Sequence, residues 1–319
     1  MEILRVLSEH GGPVGSTVIR QELRKRGFLL SERTIRYHLQ LLEAKGLVQG
    51  HDRSGRTITA SGLSELSRAL AYQRMGFIIT RFLSMAYAVT YNPDVNRGTM
   101  VANVSIMDKT FQDKTLRMLH ALHERRILPA PYFKILDEGQ EYQDISVPKG
   151  KIALFTVCNL TVDGILIHSG IPLLFKYGGL VQVLNHKPLR FVELISYEGT
   201  TVPPLEVFVY RNMTSITRVL RTGSGMLPAT LREIPAEARG RTEEILTNLK
   251  NQGWGGFLAF GEPNEPVLGI PVGMDRVGIS MVGGLIPGAA MIEEGAKVDT
   301  FAPHCLIPVE EMTKIKMGT

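Results

Sequence analysis

Residues 31–50 read SERTIRYHLQLLEAKGLVQG. Ile35, Leu39 and Leu42 recur at helical spacing behind Ser31, a residue suited to cap a helix N-terminus, and Gly46 is suited to stop it. Beyond Gly46, LVQG and RTIT are short strand-like runs joined by HDRSG, which carries a turn signal. Upstream, EILRVLSE places Ile3, Leu4 and Leu7 on one side of a short helix. A second helix is expected over roughly Thr17–Lys25, with Ser16 as its cap and Gly27 as its stop. Helix, helix, helix, hairpin is the order of a winged helix-turn-helix.

With the aliphatic stripe inward, Arg33, Arg36, Tyr37 and Gln40 fall on the outward side. Ser31, Arg33 and Thr34 sit at the start of this third helix, where a recognition helix meets base edges. Arg53 and Arg56 flank the hairpin tip, placed to meet phosphate or the minor groove. His38 lies near the apolar face and reads as a packed core histidine. ITASGLSELSRALAYQRM, 58–75, continues into an amphipathic helix with Leu63, Leu66 and Leu70 on one stripe.

Charge divides at the same place. Residues 1–75 hold 12 Lys+Arg against 7 Asp+Glu, and the remainder holds 24 against 24, so the whole excess of +5 is N-terminal. A basic winged helix points to double-stranded DNA as the partner. Structured RNA or a protein surface is the alternative for the same fold. Two cysteines, Cys158 and Cys305, cannot build a disulfide framework, and VGISMVGGLIPGAAMI, 277–292, is too short to span a membrane. A soluble, cytoplasmic protein without membrane contact is expected.

The larger part repeats itself. VDGILIHSGIPLLFKYGGL, 162–180, and VLGIPVGMDRVGISMVGGL, 267–285, share 6 of 19 residues at an offset of 105. Extended, that register pairs Phe155 with Phe260 and Asn159 with Asn264, and a five-residue change in spacing pairs Thr200 with Thr300. The expectation is an α+β chain: a winged helix over 1–75, then over 76–319 an α/β domain of two pseudo-symmetric repeats, about 95–210 and 222–317, with a cleft between them. Helices are expected over roughly Lys114–Arg126 and Arg239–Gln252. Gly178–Gly179 and Gly283–Gly284 mark either tight bends or close approach to a ligand.

No Walker loop, dinucleotide fingerprint or zinc spacing is present, and no metal or cofactor is expected. His120 and His123 share a helix without acidic or thiol partners to complete a metal site. Polar residues beside the repeated glycines are the candidates for a small effector: Asn159, Thr161, His168, Thr200 and Asn264, with Arg232 and Arg276 able to hold carboxylates.

Several stretches together carry a family likeness. VCNLTVDGILIHSGIP, GGLVQ, ISYEGTTVPPLEVF, LREIPAEA, LGIPVGMDRVGI and GGLIPGAAMIEEG resemble the regulatory domain of the NrpR-type nitrogen regulators. In that family a winged helix precedes one or two such domains. The resemblance implies a homodimeric, non-enzymatic repressor of nitrogen-assimilation genes, released from operator DNA by 2-oxoglutarate. It draws Cys158, Gly164, Gly283 and Gly284 into the candidate effector set, and it leaves Ile286 where the family pattern leads one to expect asparagine. The competing reading is an enzyme acting on a small acid under control of the winged helix.

Overall fold

The computed structural model describes residues 2–52, 54–69 and 77–316. They fall into two compact units, Met1–Met75 and Gly76–Thr319.

In the first unit, helices α1 (Glu2–His10), α2 (Ser16–Lys25) and α3 (Glu32–Ala44) precede the hairpin β1 (Val48–His51) and β2 (Gly55–Ile58), and α4 (Ala60–Ala69) follows. Leu4, Leu7, Ile19, Leu23, Ile35, Leu39 and Val48 form the core. Ser31 caps α3, its hydroxyl accepting the Thr34 amide at 3.1 Å. The cap of α2 is Gly15, one residue before the expected Ser16, because Ser16 already has helical backbone and its hydroxyl accepts from Arg36 Nε at 3.3 Å. His38 is exposed, against expectation: Leu39 centres the stripe, so position 38 falls on its rim, edge-on to Tyr37 at 5.6 Å. On α4, Leu66 is buried but Leu63 is 49% exposed. Leu70 lies outside the described residues.

The second unit opens with α5 (Phe77–Tyr87), β3 (Thr99–Asp108), α6 (Gln112–Glu124) and β4 (Tyr132–Leu136). After the small hairpin β5 (Glu141–Tyr142) and β6 (Ile145–Ser146) come β7 (Lys151–Val157), α7 (Leu160–His168), β8 (Leu174–Leu184) and β9 (Lys187–Ser196). Then follow α8 (Pro204–Tyr210), α9 (Ile216–Thr222), β10 (Gly225–Pro235), α10 (Arg239–Asn251) and β11 (Phe257–Phe260). The chain closes with β12 (Arg276–Val282), α11 (Ile286–Glu293), β13 (Asp299–Pro308) and β14 (Thr313–Lys314).

Two five-stranded antiparallel sheets result, in the orders β13-β3-β7-β4-β14 and β11-β12-β10-β8-β9. The series β3, α6, β4, β7, α7, β8 returns as β10, α10, β11, β12, α11, β13, at offsets of 125 to 127 residues. The ladders fix the equivalence: Ala102 pairs with Val157 on one side and Ala229 with Val282 on the other. Each repeat gives its last strand to the other's sheet, β8 beside β10 and β13 beside β3. The two repeats are thereby interlocked across one pseudo-two-fold.

This corrects the register read from sequence. An offset of 105 pairs helix α7 with the loop before β12, so its six identities join segments of different structure. Gly178–Gly179 lies inside β8, where a Cβ on Gly178 would meet the Pro204 ring at 2.7 Å, whereas Gly283–Gly284 forms the junction between β12 and α11. The structural repeats also end sooner than 210: β9, α8 and α9 stand between them.

Candidate functional site

The pseudo-two-fold brings together the two places where a central strand turns into a helix. β7 ends at Val157 and α7 starts at Leu160; β12 ends at Val282 and α11 starts at Ile286. Between these junctions lies a cavity of about 30 Å³ bounded by Asn103, Cys158, Asn159, Thr230, Arg232 and Gly284. Phe82, Tyr197, Leu205 and the prolines 203, 204 and 303 close its other side. That volume matches one water molecule, against roughly 300–1,000 Å³ for most small-molecule sites.

Arg232, Asn103, Asn159 and Thr230 supply the polar part of the wall. Arg232 is 1% exposed and stacks 4.0 Å above the Phe175 ring and 5.3 Å from that of Tyr197. Its Nε and Nη2 donate to the Asp163 carboxylate at 3.1 to 3.3 Å, while Nη1 makes no hydrogen bond of ordinary geometry among the described residues, with the Tyr197 side chain as a polar neighbour of the guanidinium. Burial drives the Asp163 carboxyl above its ordinary range, and the guanidinium works against that. Asn103 is 2% exposed, and among the described residues neither its amide nitrogen nor its oxygen makes a hydrogen bond of ordinary geometry. Asn159 is satisfied, donating from Nδ2 to Thr230 Oγ1 at 3.0 Å. The N-termini of α7 and α11 add inward partial positive charge. Burial pushes the Cys158 thiol up to about 11, so it is a neutral wall group.

Of the residues singled out from sequence, Cys158, Asn159, Arg232 and Gly284 line this cavity, and Gly283 stands against Leu205 of the same wall. The others lie elsewhere. Thr161 ties α7 to β3, accepting the Val101 amide at 3.0 Å. Gly164 lets α7 close on α5, since a Cβ there would lie 2.4 Å from the Ala86 carbonyl oxygen. His168 bonds the Tyr87 carbonyl at 2.8 Å and borders a separate groove. Thr200 turns its hydroxyl to Val202 O at 2.8 Å within its own loop. Asn264 accepts the Asp275 amide at 2.7 Å in the turn before β12, and Arg276 opens that strand. Ile286 is fully buried in the second core cluster. Sequence reasoning passed over Asn103 and Tyr197; an asparagine amid MVANVSIM was the available signal.

On the winged helix, Arg33 is exposed and makes no ion pair among the described residues, and Tyr37 and Gln40 are exposed beside it. Thr34 shares its hydroxyl with Ser31 at 2.8 Å. Arg36 pairs with Glu32 at 2.8 Å. Arg56 sits within β2 rather than at the tip, and its guanidinium is engaged by Glu43 at 2.9 Å. Arg53 lies outside the described residues. Among the described residues no group of His, Cys, Asp or Glu could hold a metal ion, and no helix is long and apolar enough to cross a membrane.

Residues 75–314 match the model of the NrpR regulatory domains NRD1 and 2. The chain belongs to the NrpR family. Residues 1–66 match the Ribonuclease R winged-helix domain. The global nitrogen regulator NrpRI of Methanosarcina mazei is 36% identical over 99% of this chain and 97% of its own length. NrpR of Methanocaldococcus jannaschii is 32% identical over 99% of this chain, which spans only 55% of that relative. A solved structure, a nitrogen repressor-like protein from Methanococcus jannaschii, superposes with a TM-score of 0.64 at 27% identity, covering 74% of this chain and 97% of the other. NrpR membership thus rests on both units of the chain.

Proposed function

We propose that this NrpR-family chain is a transcriptional repressor of nitrogen-assimilation genes that binds operator DNA as a homodimer and is released by a small dicarboxylate, 2-oxoglutarate. One observation carries the effector half of the reading: a buried cavity at two helix N-termini with unpaired N–H donors on Asn103 and Arg232. Unmet donors in a buried site favour an anion or an oxo group, and the helix ends add to that preference. The family names and the exposed Arg33 at the start of α3, which makes no ion pair among the described residues, support the DNA half.

Release then works by population shift. The cavity as it stands has no room for a dicarboxylate, so effector selects a widened form, and it weakens DNA binding only by the ratio of its affinities for the two forms. Fluorescence anisotropy on DNA from upstream of nitrogen-assimilation genes, titrated with 2-oxoglutarate at fixed salt, tests both halves. Binding that falls with 2-oxoglutarate but not with succinate is expected. Binding indifferent to the metabolite removes the effector from the reading and keeps the DNA.

The match of residues 1–66 to a ribonuclease winged helix favours a second reading, in which the N-terminal unit binds structured RNA. Tighter binding of an RNA hairpin than of operator DNA at equal salt would select it. A cysteine nucleophile finds no support, because burial pushes both cysteine thiols up to about 11, away from the nucleophilic thiolate.

A further inference from the structure

The duplication is unequal at the cavity. The ladder registers make Asn103 equivalent to Thr230, and the strand ends make Asn159 equivalent to Gly284. On one side of the pseudo-two-fold, Asn159 reaches across from the β7–α7 junction to Thr230 at 3.0 Å. On the other, the same contact would run from residue 284 to Asn103, and Gly284 has no side chain to make it. A Cβ at 284 would stand 2.3 Å from Asn103 Nδ2 and 2.8 Å from Cys158 Cα, so the Asn103 amide fills the space a side chain would take. Among the described residues it makes no hydrogen bond of ordinary geometry there, with the Cys158 thiol as its polar neighbour. The next pair inward is unequal as well. Asp163 and Arg232 correspond to Gly288 and Ser105, so only one side of the axis carries charge.

We infer that Asn103 is a ligand-binding residue that sets which small anion the cavity accepts, its Nδ2 donating to a ligand oxygen beside the free Nη1 of Arg232. This rests on reading the cavity as the effector site. A buried amide without partners costs stability that an apolar residue of similar shape would spare. Its retention is explained when a ligand completes it, as Asn159 completes Thr230 on the other side. Two donors on the wall of one cavity suit a carboxylate, or a carboxylate with an oxo oxygen beside it. A ligand ammonium at that place would face the guanidinium and be rejected.

The test compares the two equivalent positions by thermal melting of the full chain, without ligand and with 2-oxoglutarate, glutarate or acetate. Without ligand, Asn103→Leu should melt at or above the wild type, because it removes an unmet group, while Thr230→Val should melt lower, because it strands Asn159. The rise in melting temperature that 2-oxoglutarate gives the wild type should be lost in Asn103→Leu. An Asn103→Leu chain that melts as low as Thr230→Val, or that keeps the wild-type response, overturns the inference. Should Asn103→Leu not fold, Asn103→Asp serves: a carboxylate beside the bound anion should weaken binding at least tenfold, and unchanged affinity overturns the inference. If glutarate or acetate stabilises the wild type and 2-oxoglutarate does not, the effector's identity falls, and Asn103 is judged on the anion that works. If none of the three shifts the wild type, the inference falls with the effector site.

Discussion

Arg232 of the second repeat and Asp163 of the first form a doubly hydrogen-bonded ion pair, 3.1 Å apart at its shortest, with side chains 1% and 0% exposed. It joins β10 to the first turn of α7 across the pseudo-two-fold. A buried pair recovers little more than its desolvation cost, but losing one partner strands the other. Arg232→Met should therefore lower stability by about 3–5 kcal/mol, as measured by urea unfolding. Arg232→Met combined with Asp163→Leu should recover most of that loss. A double variant no better than the single one would mean that Arg232 contributes mainly through its stacking on Phe175 and Tyr197.

Gly164 is the point where α7 touches α5. A Cβ would lie 2.4 Å from Ala86 O and 2.6 Å from Val89 Cβ, contacts with backbone and with a stiff β-branched side chain that cannot swing aside. Gly164→Ala should cost about 1–3 kcal/mol through overpacking, although alanine is the better helix former. Equal or higher stability by thermal melting would show that the two helices can part at little cost.

Some of this was legible in the sequence, for local reasons. The α3 stripe of Ile35 and Leu39, the Ser31 cap and the hairpin are set by neighbours in the chain, so pattern reading finds them. Arg232 was legible as an arginine beside the repeated motifs, and Gly284 as half of a repeated glycine pair. The repeat register was not, because helix α7 and the loop before β12 are both rich in glycine and aliphatic residues, and identity counting does not distinguish a helix from a turn. Asn103 was missed for a different reason. Its singularity depends on Gly284, some 180 residues away, and only the exchanged strands bring the two together.

Arginine engagement ranks the residues of the winged helix. Arg33 is unpaired among the described residues, whereas Arg36 and Arg56 already hold Glu32 and Glu43. On the DNA reading, Arg33→Ala should lose about 1–3 kcal/mol of operator affinity, a good base contact's worth, with little change in salt dependence. Arg56→Ala should lose less affinity and should loosen the hairpin against α3. Anisotropy at several salt concentrations separates the two, and an Arg33→Ala chain that binds as the wild type does would move the recognition face elsewhere.

Glu206 makes stability depend on pH. It lies on α8 beside the cavity wall residues Pro204 and Leu205, where burial pushes its carboxyl up to about 7 and Arg81 opposes the shift. The folded chain therefore holds a proton that the unfolded chain has released between pH 4.5, the ordinary value, and about 7. Stability from this group is full below 4.5 and is lost as pH rises through 7. Because the carboxyl is partly exposed, solvent screening holds the effect to about 1–2 kcal/mol. Glu206→Gln, a permanent stand-in for the protonated form, should match the wild type at pH 4.5 and exceed it by that amount at pH 8. Urea midpoints at the two pH values read the difference directly, and parallel wild-type and variant curves would place Glu206 in an ordinary solvated setting.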